Sequence, residues 1–536
     1  MPQINATYPM GFLSDKGTDW VMNISDIQPS NGAVTNTFLD VGEGTADLTA
    51  DNFNLSYRGG GDNPLDTIKT SSLKFPVVVR SNAARNIIDA IFETNFDVQW
   101  FVSLWQKKAG AFPDEHSLFW WGFLSPVSSK KPNTSYPYSY ELEALDTLAL
   151  LRNQKVWSKT FVTNLTLPGT GTIIPIPKHR FGSPRIASVS PVTIYPKEAP
   201  TVVQAIYSLI YDLNQDSDGR LRTLMYWDMV RTPQTQTGPL NHTTINIWEE
   251  IFTDNPPDPA IGYSIERDTS VTAYEILNRI CQLFCLRIFQ KDGDYWVVQP
   301  EVYQDPAVSV ERYSFTKNTV ASSDQPKFSG ANTVTLSTIS QAISSPPTDP
   351  YILSGAAWER IPSLHEVVLS GTLVSGVMSW RVKQKISGTT NNLSDLSGHT
   401  QEIDTKYPIA ELNYLDFGPS TGYRQEWTRG ANPSAAFDTY TTCVKARMES
   451  RNKLRELFDA TIYTPNYHFL NAIKYDGTTF IPHAISLNGN SEHWSGRWIE
   501  MRLESGALGE PIGEEITEGE HNQSLEDLIR NALGTG

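Results

Sequence analysis

The chain has 536 residues, of which 39% are hydrophobic, 11% aromatic and 19% charged, and its formal net charge is −16. This balance suits a folded protein of several domains and excludes a disordered one. An acidic surface also argues against sequence-independent binding to nucleic acid, which needs Lys and Arg on phosphates, and no apolar run approaches the ~20 residues of a membrane span.

The first block reads as short strands. Phe53 to Tyr57 alternates apolar with polar residues, as does Leu73 to Val79 in part, and Arg58 to Pro64 between them is dense in turn formers. Ala84, Ile87, Ile88, Ile91 and Phe92 share one face at helical spacing, with Ser81 or Asn82 available as N-cap. Val98 to Trp105 and Leu118 to Leu124 form a predicted hairpin. Tyr136 to Leu148 closes the block, with Tyr138, Tyr140, Leu142 and Ala144 on one side of a strand.

Two helices are expected in the second block. One starts at Pro200 and buries Val203, Ile206, Tyr207, Ile210 and Tyr211. The other opens with the capping-box pattern Thr272-Ala273-Tyr274-Glu275 and carries a stripe of Ala273, Ile276, Leu277, Ile280, Cys281 and Phe284. It feeds a hairpin, Leu286–Gln290 to Tyr295–Gln299, turned at Asp292-Gly293.

From Ser322 to Pro350 the Ser-, Thr-, Asn- and Pro-rich sequence reads as an irregular connector. Strands resume near Leu364, and a charged amphipathic helix is expected over Thr441–Asp459. Phe469–Tyr475 and Thr479–Leu487 then form strands separated by Asp476-Gly477. Glu504 to Gln523 is an acidic tether without Lys or Arg, and Ser524 caps a last helix with Leu525, Leu528, Ile529 and Ala532 on one face. An amphipathic peptide on a tether suits docking on a neighbour. The divisions expected are 1–160, 161–320, 321–435, 436–503 and 504–536. The fold class is mainly β with a few short helices (α+β), in several domains.

No catalytic motif stands out, and the chain reads as non-enzymatic, without cofactor or metal. Asn214 to Gly219 resembles the first half of a calcium loop, but Met225 stands where the bidentate Glu belongs, so a polar turn is the better reading. Gly59-Gly60-Gly61 lacks the Lys and Ser/Thr of a phosphate cradle and reads as a turn. Cys281, Cys285 and Cys443 have no metal-binding spacing and read as buried thiols. His483 and His493 read as surface histidines. The N-terminus lacks a secretory pattern, so folding in a cytosol is expected, and Asn-x-Ser/Thr triplets such as that at Asn23 are attributed to chance. Basic residues between Lys445 and Arg455 suit pairing between subunits.

The tryptophans Trp100, Trp105, Trp120 and Trp121 belong in a core or a subunit interface, where aromatics are enriched. Trp120 and Trp121, with Leu525, Leu528 and Ile529, are the assembly-interface candidates. The alternative for the indoles is a sugar-stacking platform on a carbohydrate-binding tail or surface protein. A further alternative is a glycoside hydrolase with two carboxylates about 5–10 Å apart.

The order Leu55-Ser56-Tyr57-Arg58-Gly59, Ile68 to Leu73, short helix, Leu118 to Pro126 and Tyr140 to Leu148 resembles tail or baseplate proteins from phages of Bacteroidetes bacteria. Ala273 to Leu277, Phe284 to Gln290 and Tyr295 to Gln299 resemble the same group. The resemblance implies a tail-tip hub with tail-tube-like β-barrel domains and peripheral β-rich domains. The first block and the strands after residue 459 would supply the two barrels. It implies a homotrimer, with a hexamer as second option, contacting a tail tube or distal tail protein and a spike or tip protein. DNA would pass transiently without specific binding. Such a hub is built in the host cytoplasm, resides in the virion tail and inserts stably in no membrane.

Overall fold

The structure, a computed structural model, describes residues 2–29, 48–58, 67–93, 100–107, 116–125, 137–153, 272–283, 286–298, 455–464 and 467–501. It also describes Ile206 and a set of strands between 157 and 404 and at 512–517. It is mainly β with a few short helices.

In chain order the first block holds β1 (Pro2–Leu13), β2 (Asp19–Pro29), β3 (Leu48–Thr49), β4 (Asn54–Arg58), β5 (Ile68–Val79), α1 (Asn82–Phe92), β6 (Trp100–Lys107), β7 (His116–Leu124), β8 (Tyr138–Leu145) and α2 (Thr147–Leu150). The central segment holds β9 (Trp157–Thr166), β10 (Ile173–His179), β11 (Pro184–Val189), β12 (Val192–Pro196), β13 (Met225–Asp228), β14 (Ile251–Thr253), α3 (Ala273–Leu283), β15 (Arg287–Lys291), β16 (Asp294–Val298), β17 (Ala307–Thr316), β18 (Lys327–Ser337) and β19 (Ser340–Ala342). Then come β20 (Tyr351–Ile361), β21 (Leu364–Leu373), β22 (Gly376–Lys383), β23 (His399–Asp404), β24 (Arg455–Tyr463), β25 (Ala472–Tyr475), β26 (Thr478–Asn488), β27 (His493–Glu500) and β28 (Ile512–Thr517).

Antiparallel pairing runs β1–β2–β6–β7–β8–β5, with β4 and then β3 on the far side of β5. β3 lies against β1, so the block curls back on itself. The pattern in β8 explains how it sits: Tyr140, Leu142 and Ala144 are buried, while Ser139 and Glu141 between them are exposed. Helix α1 forms because Ser81 caps it, its side chain accepting from Ala84 N, and because Ala84, Ile88 and Ile91 recur on its buried face.

The later strands do not stand apart. β26 pairs with β4 from Ile485↔Tyr57 to Asn488↔Asn54, and β27, β24 and β20 continue the same sheet. Residues divided by the sequence reading between 1–160 and 436–503 therefore share one sheet and one core. A second arm leaves β5 where Ile68 and Lys69 pair in parallel with Ile288 and Phe289 of β15. It continues through β16, β13, β17 and β18.

Three expectations change. Arg455–Asp459, expected as the end of the charged amphipathic helix, instead begins strand β24 (Arg455–Tyr463). Phe458, Ala460 and Ile462 alternate as buried residues with outward Asp459 and Thr461, and partner strands on both sides fix that period. The polar connector contains β18 and β19, because backbone pairing with β17 and β25 needs no apolar alternation. The acidic tether contains β28, paired with β22. The expected helix after Pro200 lies outside the described residues except at Ile206, which is helical and buried, and 441–454 lies outside them as well.

Candidate functional site at the junction of three segments

Alternation in β7 sends its two central indoles to opposite faces. Trp120 enters the main core, where its Nε1 donates to Ser71 Oγ at 2.8 Å. Trp121 faces the β15–β16 hairpin, its Nε1 donating to Gly293 O at 2.6 Å and its ring meeting Tyr295 edge-on at 6.1 Å. Both are buried within the chain, at 0% and 2% exposure. Next along the strand, Gly122 has room for nothing more: an added Cβ would stand 2.3 Å from Leu145 O and 2.5 Å from the Trp120 ring.

The hairpin that covers Trp121 is held by its turn, by the pairing of β15 with β5 and by side chains on both sides of the junction. Asp292 (φ 52°) and Gly293 (φ 77°) both take the left-handed conformation of a two-residue turn. Gln290 is fully buried, and its amide pairs with the backbone N and O of Trp121. Tyr57 adds a hydrogen bond from its hydroxyl to Gln290 O at 3.1 Å. Burial, followed by the nearby carboxylates of Asp292 and Asp146, raises the Tyr57 phenol and keeps it neutral.

A polar layer lies where β5, β15 and β26 meet. Lys69, fully buried, places Nζ 3.2 Å from His483 Nδ1. Arg287 donates to Pro482 O and lies 5.2 Å from the centre of the Phe469 ring. Pro482 and His483 occupy a register break in β26, which turns these groups inward. His483 is thus a buried side chain and not the surface histidine expected. Nearby, the Asp146 carboxylate accepts from Ser71 N, Ser71 Oγ and Ala149 N. Burial raises it to about 6, against the lowering effect of those hydrogen bonds.

A cleft of about 520 Å³ opens beside this junction, between β2, β7, the Asp292 turn, Thr464, Tyr467, His468 and the start of β27. Elsewhere, β20 lies at the border of the sheet, hydrogen-bonded to β24 and to no second strand among the described residues. Trp358 on β20 packs on Phe458 (4.9 Å), Phe480 (5.3 Å) and Tyr475 (6.0 Å) while remaining 44% exposed.

Among the described residues no group of three or more His, Cys, Asp or Glu side chains is placed to hold a metal ion, and no helix is long and apolar enough to cross a membrane. Cys281 is a buried thiol. Leu525, Leu528 and Ile529, the calcium-like turn at 214–219 and Gly59-Gly60-Gly61 lie outside the described residues. Sequence reasoning passed over Gln290, Ser71, Lys69, Arg287 and Trp358. Of the junction residues, only Asp146 carried a local signal, standing directly before a helix start.

The sequence matches no known protein family and no curated protein. Among solved structures, the chain is similar to a 43 kDa tail protein of prophage MuSo2 from Shewanella oneidensis, with 8% identity and a TM-score of 0.36 over 86% of this chain and 98% of that one. It is also similar to the prophage tail protein gp18 from Listeria monocytogenes, with 8% identity and a TM-score of 0.31 over 86% and 91% of the two chains. A third is an Escherichia coli type VI secretion component, described as structurally similar to the T4 tail proteins gp27 and gp5. It shows 6% identity and a TM-score of 0.34 over 87% and 78% of the chains.

Proposed function

We propose that this chain is a non-enzymatic structural component of a phage or phage-like tail baseplate, acting as one copy in a hub ring between tail tube and tip. The observation that carries the assembly role is the border strand β20. Among the described residues the large apolar side chains left exposed are Leu13, Leu353 and Trp358, and two of these stand on that strand. An open, partly apolar border is a liability that a neighbouring chain would cover. The tail setting rests on the motif order in the two blocks that resemble tail-tip hubs.

Three copies are favoured over six. The neighbours would be a tail tube or distal tail protein above and a spike or tip protein below, with Leu525, Leu528 and Ile529 docking on an adjacent chain. A net charge of −16 supports a channel that lets DNA pass without holding it. The ring would assemble in the host cytoplasm and remain in the virion tail.

Light scattering of the purified protein, followed by negative-stain imaging, tests this reading. Rings or threefold particles with a central hole are expected, and Trp358→Lys is expected to reduce the mass to that of one chain while preserving a cooperative thermal transition. A protein that stays monomeric at every concentration, alone and mixed with tube and spike proteins from the same tail, would overturn it.

A further inference from the structure

We propose that the contact between the β1–β2 turn and the β26–β27 turn is an acid-sensitive latch on the first block, with His493 as the group that releases it. Three segments from distant parts of the chain meet there. Asp15 N donates to Asn490 O at 2.8 Å, and Asn490 Nδ2 donates back to Asp15 Oδ2 at 3.1 Å. The Ser14 hydroxyl donates to the Glu492 carboxylate. From the segment before β4, the Asn52 side chain accepts from Asn490 N at 2.9 Å, and Phe53 O accepts from Gly489 N at 2.8 Å.

The two turns touch through these single bonds and not through a ladder, since each hairpin keeps its own register. The contact can therefore open locally without unpairing a strand. Asp15, Lys16 and Gly17 already face solvent. Beneath the turns lies aromatic carbon: Phe53 packs edge-on against Phe12 at 5.8 Å and Trp20 at 5.0 Å. At Gly489 an added Cβ would stand 2.3 Å from the Phe53 ring, so that turn lies directly on it. Opening would bring water to Phe12 and Phe53.

His493, read from the sequence as a surface group, is half-buried where the latch meets the sheet. It begins β27, opposite Tyr463 of β24 and Asn488 of β26. The Tyr463 ring meets the imidazole edge-on at 6.0 Å, and Lys16 Nζ lies 4.3 Å from the centre of the same ring. His493 Nε2 is buried without a hydrogen-bond partner, so a proton there would find no acceptor in the closed latch. The charged groups around the ring are Lys16 and Asp15 on the opposite turn and Glu492 on its own. Burial first, then the Lys16 ammonium, lower the imidazole below the usual histidine range and outweigh the two carboxylates.

Opening parts His493 from Lys16 and returns it to water. The open form then takes up a proton near the ordinary value of about 6.5, and the closed form only at lower pH. Above that value the latch has its full stability. As pH falls below it the open form gains, by up to about tenfold at about pH 5.5.

Hydrogen exchange of the full chain, read by mass spectrometry and corrected for intrinsic rates, follows the latch directly. Relative to α1, peptides spanning 12–18 and 487–492 are expected to exchange several-fold faster at about pH 5.5 than at about pH 7.5. His493→Gln removes the titrating group and should abolish the difference. Lys16→Gln, at an exposed position that leaves the core intact, should shrink it, because the closed-state imidazole then rises toward its ordinary value. Equal protection at both pH values in the parent, or a difference that survives at full size in either variant, would overturn the proposal. The readout is local to two turns and independent of the number of chains in a particle, so failure here is separable from failure of the assembly reading.

Discussion

The side-chain amide of Gln290 meets the backbone of Trp121 as a neighbouring strand would, Oε1 accepting from Trp121 N at 3.2 Å and Nε2 donating to Trp121 O at 3.0 Å. These residues are 169 positions apart, so one side chain ties the β15–β16 hairpin to the first block. Gln290→Leu leaves both backbone groups buried and unpaired. The expected loss is about 2–4 kcal/mol, read from urea unfolding as a lower midpoint with unchanged slope. Full stability would show that water replaces the amide.

Asp146 gives the fold a pH dependence of known sign. Its carboxyl is raised from 3.8 to about 6, so folding takes up a proton in that interval. The stabilisation from protonation is complete below the unfolded value and is lost as pH rises through about 6, an effect on the order of 3 kcal/mol. Asp146→Asn remains neutral throughout. Thermal scans of both chains should show the parent losing stability relative to the variant as pH rises from weakly acid to neutral, and parallel curves would refute the assignment.

The start of α3 is closed in both directions: Thr272 Oγ1 accepts from Glu275 N at 3.2 Å, and the Glu275 carboxylate accepts from Thr272 N at 2.7 Å. Thr272→Ala should cost about 1 kcal/mol. On the same helix Ile280 is fully buried, and Ile280→Asp should cost several kcal/mol by stranding a charge. Circular dichroism melts separate the two, and equal effects would mean that the helix face is misassigned.

Gly122→Ala should destabilise by about 3 kcal/mol or more, since the strand backbone of Leu145 gives no room for the methyl group. A melting temperature within a degree of the parent would show that β7 and β8 can separate at that point.

Features encoded by neighbouring residues were legible in the sequence. The alternation of β8, the Ser81 cap of α1, the Thr272–Glu275 box and the Asp292-Gly293 turn all appear where their patterns put them. What failed depended on distant partners. The charged stretch ending at Asp459 reads with a helical period until β20 and β27 flank its last residues. His483 is buried because Lys69, 414 positions away, lies beside it. The indoles of Trp120 and Trp121 announced a covered surface, but not that the cover for Trp121 would be the chain's own 287–298 hairpin.

The pairing of β4 with β26 sets a timetable. Asn54 finds its partner at Asn488, so during synthesis the first block waits with an open border while the central segment leaves the ribosome. That border is itself aggregation-prone, and such distant closure is slow because the loop entropy must be overcome first. A ribosome stalled before residue 478 would hold a sheet lacking a strand, a natural client for a chaperone. The central segment, leaving that sheet and returning to it, is topologically an insertion between two ends that clasp each other.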